Sequence, residues 1–409
     1  MIHSFPSGLR LIHMASPTDV AYCGLAINAG TRDELPEEYG MAHFCEHMLF
    51  KGTERRRAWH ILNRMEAVGG DLNAYTTKEE TFIYAAFMRE HLKRAIDLIL
   101  DVAFHSTYPQ HEIEKEAEVI VEEIDSYKDT PSDLIFDDFE NLLFEGHPLG
   151  HDILGTPERV RSFRTDDALR FTRRLYQPER MVLFVFGRYD FQKLKAVVQR
   201  KLEKVLPQTD ATVTTFSRPI QPIQPIQPFR IVRKLHTHQA HVMIGCRGYS
   251  SDDKRRIALY FLNNLIGGPG MNSLLNVALR EHQGLVYTVE SALTNYTDTS
   301  TFSIYFGCDP KDVERCIRLV RKELNRLVQQ PLTQTRFQAA LRQIRGQIGV
   351  ACDNFENYAL DMAKSYLHYN RIEGVEDTYR QLEKLTPELL QQVAADLFTD
   401  DHLSVLIYQ

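Results

Sequence analysis

Short runs rich in apolar and β-branched residues alternate along this chain with longer stretches whose apolar positions recur every three or four residues. Ala21–Ile27, Thr81–Tyr84 and Met181–Phe186 read as strands, and Leu92, Ala95, Ile96, Leu98 and Ile99 as one face of a helix. The same succession returns about 220 positions later. Ala240–Cys246 answers the first run and Thr301–Ile304 the second. A helix marked by Val313, Cys316, Ile317, Leu319 and Val320 follows, and Leu403–Tyr408 closes the series as Met181–Phe186 does. Four matched pieces in one order predict an internal duplication. Neither half shows a regular βαβ alternation, so the predicted class is α+β: two homologous domains, each a sheet covered by helices on one side.

Between the halves the periodicity lapses into Pro219-Ile220-Gln221-Pro222-Ile223-Gln224-Pro225-Ile226-Gln227-Pro228. Proline at every third position removes donors and favours a stiff polyproline II spacer. The expected division is a domain over 1–208, a linker over 209–228 and a homologous domain over 229–409.

The stretch Met41-Ala42-His43-Phe44-Cys45-Glu46-His47-Met48-Leu49-Phe50-Lys51 has no Gly or Pro and is flanked by Gly40 and Gly52, which predicts a helix. At i and i+4, His43 and His47 stand one above the other and can offer two imidazole nitrogens to one Zn²⁺. Glu46 lies on the adjoining strip, where a carboxylate can act as general base on water. The pattern is HxxEH, the reverse of the HExxH motif and the signature of inverted zincins. A catalytic zinc needs a third protein ligand. Residues 113–124 supply candidates, a helical segment with Val119, Ile120 and Ile124 as its apolar stripe, on which Glu116 and Glu123 are two turns apart and share a face. Setting Phe44 against Phe261 places Tyr260, Asn263 and Asn264 opposite His43, Glu46 and His47, so the second copy cannot bind zinc and one metal per chain is expected.

Bulk properties narrow the setting. A chain of 409 residues leaves room for two or three domains, and 43% hydrophobic with 25% charged residues is an ordinary folded composition. A net charge of −7, with Lys and Arg spread throughout, is not the footprint of a nucleic-acid binder. Six cysteines without a CxxC pair indicate reduced thiols and not a thiolate zinc site. No apolar stretch is long enough for a membrane span and no signal-peptide pattern opens the chain, so a cytoplasmic protein is expected. His236 and His238 alternate along a strand without a carboxylate pattern nearby, and Gly267-Gly268-Pro269-Gly270 lacks the GK[ST] ending of a phosphate loop; neither is assigned to a site.

With these motifs the sequence resembles the pitrilysin and insulysin family, whose short members include the mitochondrial processing peptidase subunits. That family has a glutamate ligand about 76 residues after the second histidine, which falls on Glu123, and a glutamate seven residues earlier that supports catalysis, which falls on Glu116. Gly30-Thr31-Arg32-Asp33-Glu34, Phe50-Lys51-Gly52-Thr53 and Asn73-Ala74-Tyr75-Thr76 match as well. The resemblance implies that Asn73 and Ala74 lie on an edge strand that receives the substrate backbone, and that Arg280 and Tyr287, in Leu279–Val289, donate hydrogen bonds to substrate near the scissile bond. It further implies a zinc endopeptidase that cleaves unstructured peptides in a clam-shaped chamber, of which this chain is half. The short form then works as a pair, as a homodimer or with a metal-less paralogue. The alternative is a non-catalytic or partner-dependent subunit of a processing-peptidase-like or respiratory core assembly; members of that kind tend to lose the zinc motif.

Overall fold

The structure is a computed structural model that describes residues 1–206, 216, 218–219, 221–235 and 237–409. Its elements, in chain order, are β1 (Ile2–Ser4), β2 (Arg10–Met14), β3 (Val20–Ile27), α1 (Met41–Met48), α2 (Ala58–Glu66), β4 (Asp71–Thr76), β5 (Thr81–Met88), α3 (Leu92–His105), α4 (Gln110–Lys128), α5 (Pro131–Leu143), α6 (Pro157–Ser162), α7 (Thr165–Leu175), β6 (Met181–Phe186) and α8 (Phe191–Val205). The second series is β7 (Arg230–Arg233), β8 (Ala240–Gly248), α9 (Arg256–Gly267), β9 (Val286–Asn295), β10 (Ser300–Cys308), α10 (Val313–Gln329), α11 (Gln334–Ala351), α12 (Phe355–Tyr369), α13 (Val375–Leu382), α14 (Pro387–Leu397) and β11 (Ser404–Tyr408). The chain is α+β, with two sheets.

The sheets carry the duplication in their topology. The first has the order β1-β2-β6-β3-β5-β4 and the second β7-β11-β8-β10-β9. Apart from β1, each strand has its counterpart at the same place, and in each sheet one pair, β2 with β6 and β7 with β11, is parallel while the rest are antiparallel. The expected strand pairs are these equivalents.

Helices were expected on one side of each sheet; they cover both. In β6, Met181, Leu183 and Val185 pack into the core beneath α1, α3, α4, α7 and α8, while Val182, Phe184 and Phe186 face Ala359, Ala363, Tyr366 and Leu367 of α12. The second sheet repeats this. Val405 and Ile407 of β11 enter one core, and Leu406 and Tyr408 meet Ile135, Phe139 and Leu143 of α5. A strand buried on both faces reads as a continuous apolar run, which is what Met181–Phe186 and Leu403–Tyr408 are.

The compact units consequently interrupt the order of the sequence. The first comprises Met1–Ser126, His151–Pro219 and Asn354–Glu373, the second Tyr127–Gly150, Ile220–Asp353 and Gly374–Gln409. Each takes one apolar helix from the other half, so contiguous boundaries at 208 and 229 do not describe them. The linker expected over 209–228 falls partly outside the described residues, as does His236; Gln221–Phe229 carry neither helix nor strand.

Candidate metal centre

Helix α1 lies almost wholly inside the first unit, with Met41, Ala42, Phe44, Cys45 and Met48 in the core. Its start is built by tertiary structure. Gly40, the residue before the helix, has φ +96°, a left-handed conformation that glycine adopts without strain, and a Cβ there would lie 2.9 Å from the Leu154 carbonyl oxygen. The buried carboxylate of Glu34 accepts hydrogen bonds from the backbone N–H groups of Gly40 at 3.0 Å and Ala42 at 2.7 Å, so it acts as a remote cap. His151 Nε2 is 3.0 Å from the same carboxylate, and its ring stacks on Tyr39 at 3.9 Å.

Helix α4 brings the acidic partners. Ile113, Ala117, Ile120, Val121 and Ile124 form its buried stripe; Val119, assigned to that stripe from the sequence, is exposed, because it lies one residue off the helical period. Glu116 and Glu123 both turn toward α1. Glu123 Oε2 is 3.8 Å from His43 Nε2 and 3.6 Å from His47 Nε2, and one donor atom from each of His43, His47 and Glu123 lies within 4.8 Å of the others. These separations are too long for hydrogen bonds and close to the roughly 3.3 Å that ligand atoms must keep when each is about 2.0–2.1 Å from a tetrahedral Zn²⁺. The three residues fit the ion that the sequence implies.

Glu116 has another place. Its Oε1 is 3.0 Å from His47 Nδ1, and its Oε2 receives Lys51 Nζ at 2.5 Å. A carboxylate on Nδ1 directs the lone pair of Nε2 toward Glu123 and makes the imidazole more basic. Burial works against a charged His47, but Glu116, Glu46 and Glu123 outweigh it and raise its pKa above the usual value. Burial and the neighbouring His47 lower His43 to about 3, so that imidazole is neutral and its Nε2 is free to bind metal. Burial opposes the charge of Glu116 too, yet His47 and Lys51 hold it below the usual carboxylate range.

Glu46 is 9% exposed, on the strip of α1 next to the histidines. Burial raises its pKa and the Glu123 charge adds to that, against His47 and a hydrogen bond from the Thr76 hydroxyl at 3.2 Å. A carboxylate lifted in this way is a better proton acceptor. Thr76 ends β4, which lies at the edge of the first sheet and packs beside α1. Along β4, Leu72, Ala74 and Thr76 share the face toward α1, while Asn73 shares the opposite face with Tyr75, which stacks on Phe82 at 4.9 Å. Asn73 Nδ2 donates to Asp71 at 2.8 Å.

Arg280 and Tyr287 belong to the second unit. Arg280 is on a π-helical segment, Asn276–Glu281, with its guanidinium 5.5 Å from the centroid of the Tyr287 ring. Tyr287 is 81% exposed on β9, the edge strand of the second sheet. On α9, where the second copy of the metal helix falls, Asn264 Nδ2 donates to Gln347 at 2.6 Å, and no group of metal-binding side chains forms there among the described residues. One further group has metal-like proximity: Glu79, Glu80 and His368. Its carboxylates are already neutralised, Glu80 by Lys364 at 2.6 Å and His368 at 2.8 Å, Glu79 by Arg32 at 2.7 Å.

Sequence reasoning missed Glu34 and Thr76. Both lie in segments that the resemblance marks, but Glu34 caps a helix that begins seven residues later and Thr76 reaches Glu46 across a strand–helix contact. Neither spacing is a local motif.

Comparison with known proteins identifies the family. Residues 10–157 match the family described as Insulinase (Peptidase family M16), and residues 162–344 match Peptidase M16 inactive domain. An uncharacterized zinc protease of Bacillus subtilis is 31% identical over 98% of this chain and 96% of its own, and one of Streptomyces coelicolor is 32% identical over 96% and 86%. Two solved structures share the fold. The peptidase M16 inactive domain from Pseudomonas fluorescens superposes with TM-score 0.89 at 18% identity, covering 100% of this chain and 97% of that one. A protease from Helicobacter pylori gives 0.88 at 21%, covering 100% and 99%. The relatives define the family and the solved structures its fold. The chain belongs to the insulinase family, peptidase family M16. No helix among the described residues is long and apolar enough to cross a membrane.

Proposed function

We propose that the chain is a zinc-dependent endopeptidase acting on unstructured peptides. The observation that carries this reading is the convergence of His43, His47 and Glu123 on one point, with the buried Glu46 beside them and an edge strand alongside. Lewis acidity toward a carbonyl oxygen and a water molecule is the chemistry that a bound Zn²⁺ supplies there. An extended peptide adds to β4 through main-chain hydrogen bonds, which favours flexible substrates over particular side chains. Glu46 accepts a proton as the water oxygen bonds to the scissile carbonyl carbon, and returns it to the nitrogen as the C–N bond breaks. Thr76 fixes one Glu46 oxygen, and Lys51 with Glu116 orients His47.

The test is cleavage of an unstructured peptide by wild type, by wild type with chelator and by Glu46→Gln. Loss of at least about a hundredfold in turnover is expected for Glu46→Gln, with zinc still bound. Cleavage at the wild-type rate by that variant would overturn the mechanism.

In this reading the working enzyme is a pair, either two copies of this chain or this chain with a metal-less paralogue, in which Arg280 and Tyr287 of one chain serve the zinc site of the other. The presence of both the metal set and the Arg280/Tyr287 pair on one chain supports it. Mixing Glu46→Gln chains with Arg280→Ala chains, each inactive alone, should restore part of the activity. A fully active monomer in gel filtration excludes pairing.

A further inference from the structure

The first unit has a second concave site, made of arginine and not of metal ligands. A cavity of about 290 Å³ opens between the segment before α2, α2 itself and the start of α3, lined by Arg55, Arg56, Arg64 and Arg94 together with Asn63, His60 and Trp59. Two carboxylates on α3 stand near it, and both are already engaged. Arg56 reaches Asp97 at 2.5 Å and also Asp101, Lys201 of α8 pairs with Asp97, and Asp101 further accepts from Thr53 at 2.8 Å and lies 3.2 Å from His105. Arg64 gets only a distant approach to Asp97, 3.8 Å, and its buried Nε has no hydrogen-bond partner. Arg94 spends its Nε on the Arg64 carbonyl oxygen at 2.5 Å and has no carboxylate partner among the described residues. Arg55 donates to the Lys204 carbonyl oxygen at 3.2 Å and is 3.9 Å from Asp101. Cations thus outnumber the acids that face them. Burial, and then the charges of Arg94 and Arg56, lower the Arg64 pKa from its usual value.

Every basic residue lining the cavity, apart from His60, is arginine. Its planar fork suits phosphate bidentately, where lysine would serve solubility equally well at a solvated surface. The rim carries Trp59, the single tryptophan of the chain, 67% exposed. An exposed indole beside guanidinium groups is a platform on which a flat ring can stack.

We propose that this cavity binds a phosphate ester that bears a flat ring, of the nucleoside diphosphate class, with Arg64 and Arg94 on the phosphates and Trp59 on the ring. The site is separate from the metal centre, and nothing in the peptidase reading requires it.

Because Trp59 is the only tryptophan, its fluorescence reports on this site alone. The full-length chain is titrated with ADP, with pyrophosphate and with adenosine. ADP is expected to quench the emission saturably, to bind several-fold more tightly than pyrophosphate and to weaken as salt is raised; adenosine should leave the emission unchanged. Replacing Arg64 and Arg94 together by Gln should weaken ADP binding by at least about tenfold, the scale of one lost charge-assisted contact. Arg57→Gln, an exposed neighbour that does not line the cavity, should not weaken it. If the double variant is poorly folded by melting, Trp59→Phe followed by calorimetry replaces it, with weaker ADP binding expected. No quenching by millimolar ADP, pyrophosphate binding as tight as ADP, or wild-type ADP binding by the Arg64/Arg94 double variant or by Trp59→Phe would each overturn the proposal.

Discussion

At the scale of single residues, the metal centre depends on side chains that touch no metal. Lys51, Glu116 and His47 form a chain in which each group fixes the next. Removing the carboxylate by Glu116→Ala frees the Nδ1 proton, and zinc affinity in a chelator competition should fall about ten- to a hundredfold with secondary structure unchanged. Glu34→Ala should act differently. It strips the acceptor from the Gly40 and Ala42 N–H groups and from His151, all in a buried place, and should cost about 1–3 kcal/mol of stability in denaturant melts. The HxxEH pair was legible in the sequence because i and i+4 geometry is local. Glu34 and Thr76 were not, since only the packed fold sets their partners.

At the scale of elements, α12 has the most to lose from one change. It lies on the first sheet through Ala359, Ala363, Tyr366 and Leu367, and through a polar anchor in which Lys364 and His368 hold Glu80, the residue before β5. Burial alone would raise the Glu80 carboxyl, but these two partners keep it well below the usual carboxylate range. A depressed folded pKa adds stability that is full above the unfolded value, near 4.5, and is lost as the pH falls below it through the folded pKa. Acid titration of the wild type should therefore show a loss of stability beginning below about pH 4.5 that Glu80→Gln lacks. At neutral pH that variant takes the charged acceptor from half-exposed Lys364 and from buried His368, and should be less stable by about 1–3 kcal/mol, seen as earlier unfolding and faster hydrogen exchange in α12. The sequence alone assigned no place to Phe355–Tyr369; the sheet face that this helix covers is set by packing.

For the whole molecule, zinc is expected to link ligand binding to folding. An ion held by α1 and α4 binds the native chain and not the unfolded one, so saturation at a hundred times Kd should add about 2.7 kcal/mol, which chelation removes as a lower Tm. Protons compete for the same site. His47 is neutral only above its raised pKa, so zinc affinity should fall by up to about tenfold per pH unit below that point, while His43, lowered to about 3, does not contribute to the fall near neutrality. Zinc titrations at a series of pH values measure this slope, and a flat profile between pH 5 and 8 would contradict the assignment of His47 as a ligand.

Local periodicity and repetition let the sequence by itself determine the helix with His43, Glu46 and His47, the two-turn spacing of Glu116 and Glu123, the strand runs and the doubled plan. These survive because helical and strand periods place neighbours without knowledge of the rest of the chain. Only the tertiary structure decided which helix covers which sheet face, since apolar stripes are interchangeable until α5 and α12 are exchanged between the units. It alone also fixed the bond of Glu116 to Lys51, the remote cap from Glu34 and the hold of Thr76 on Glu46. Those contacts join residues far apart in the chain, and burial and distance, not spacing, give them their chemistry.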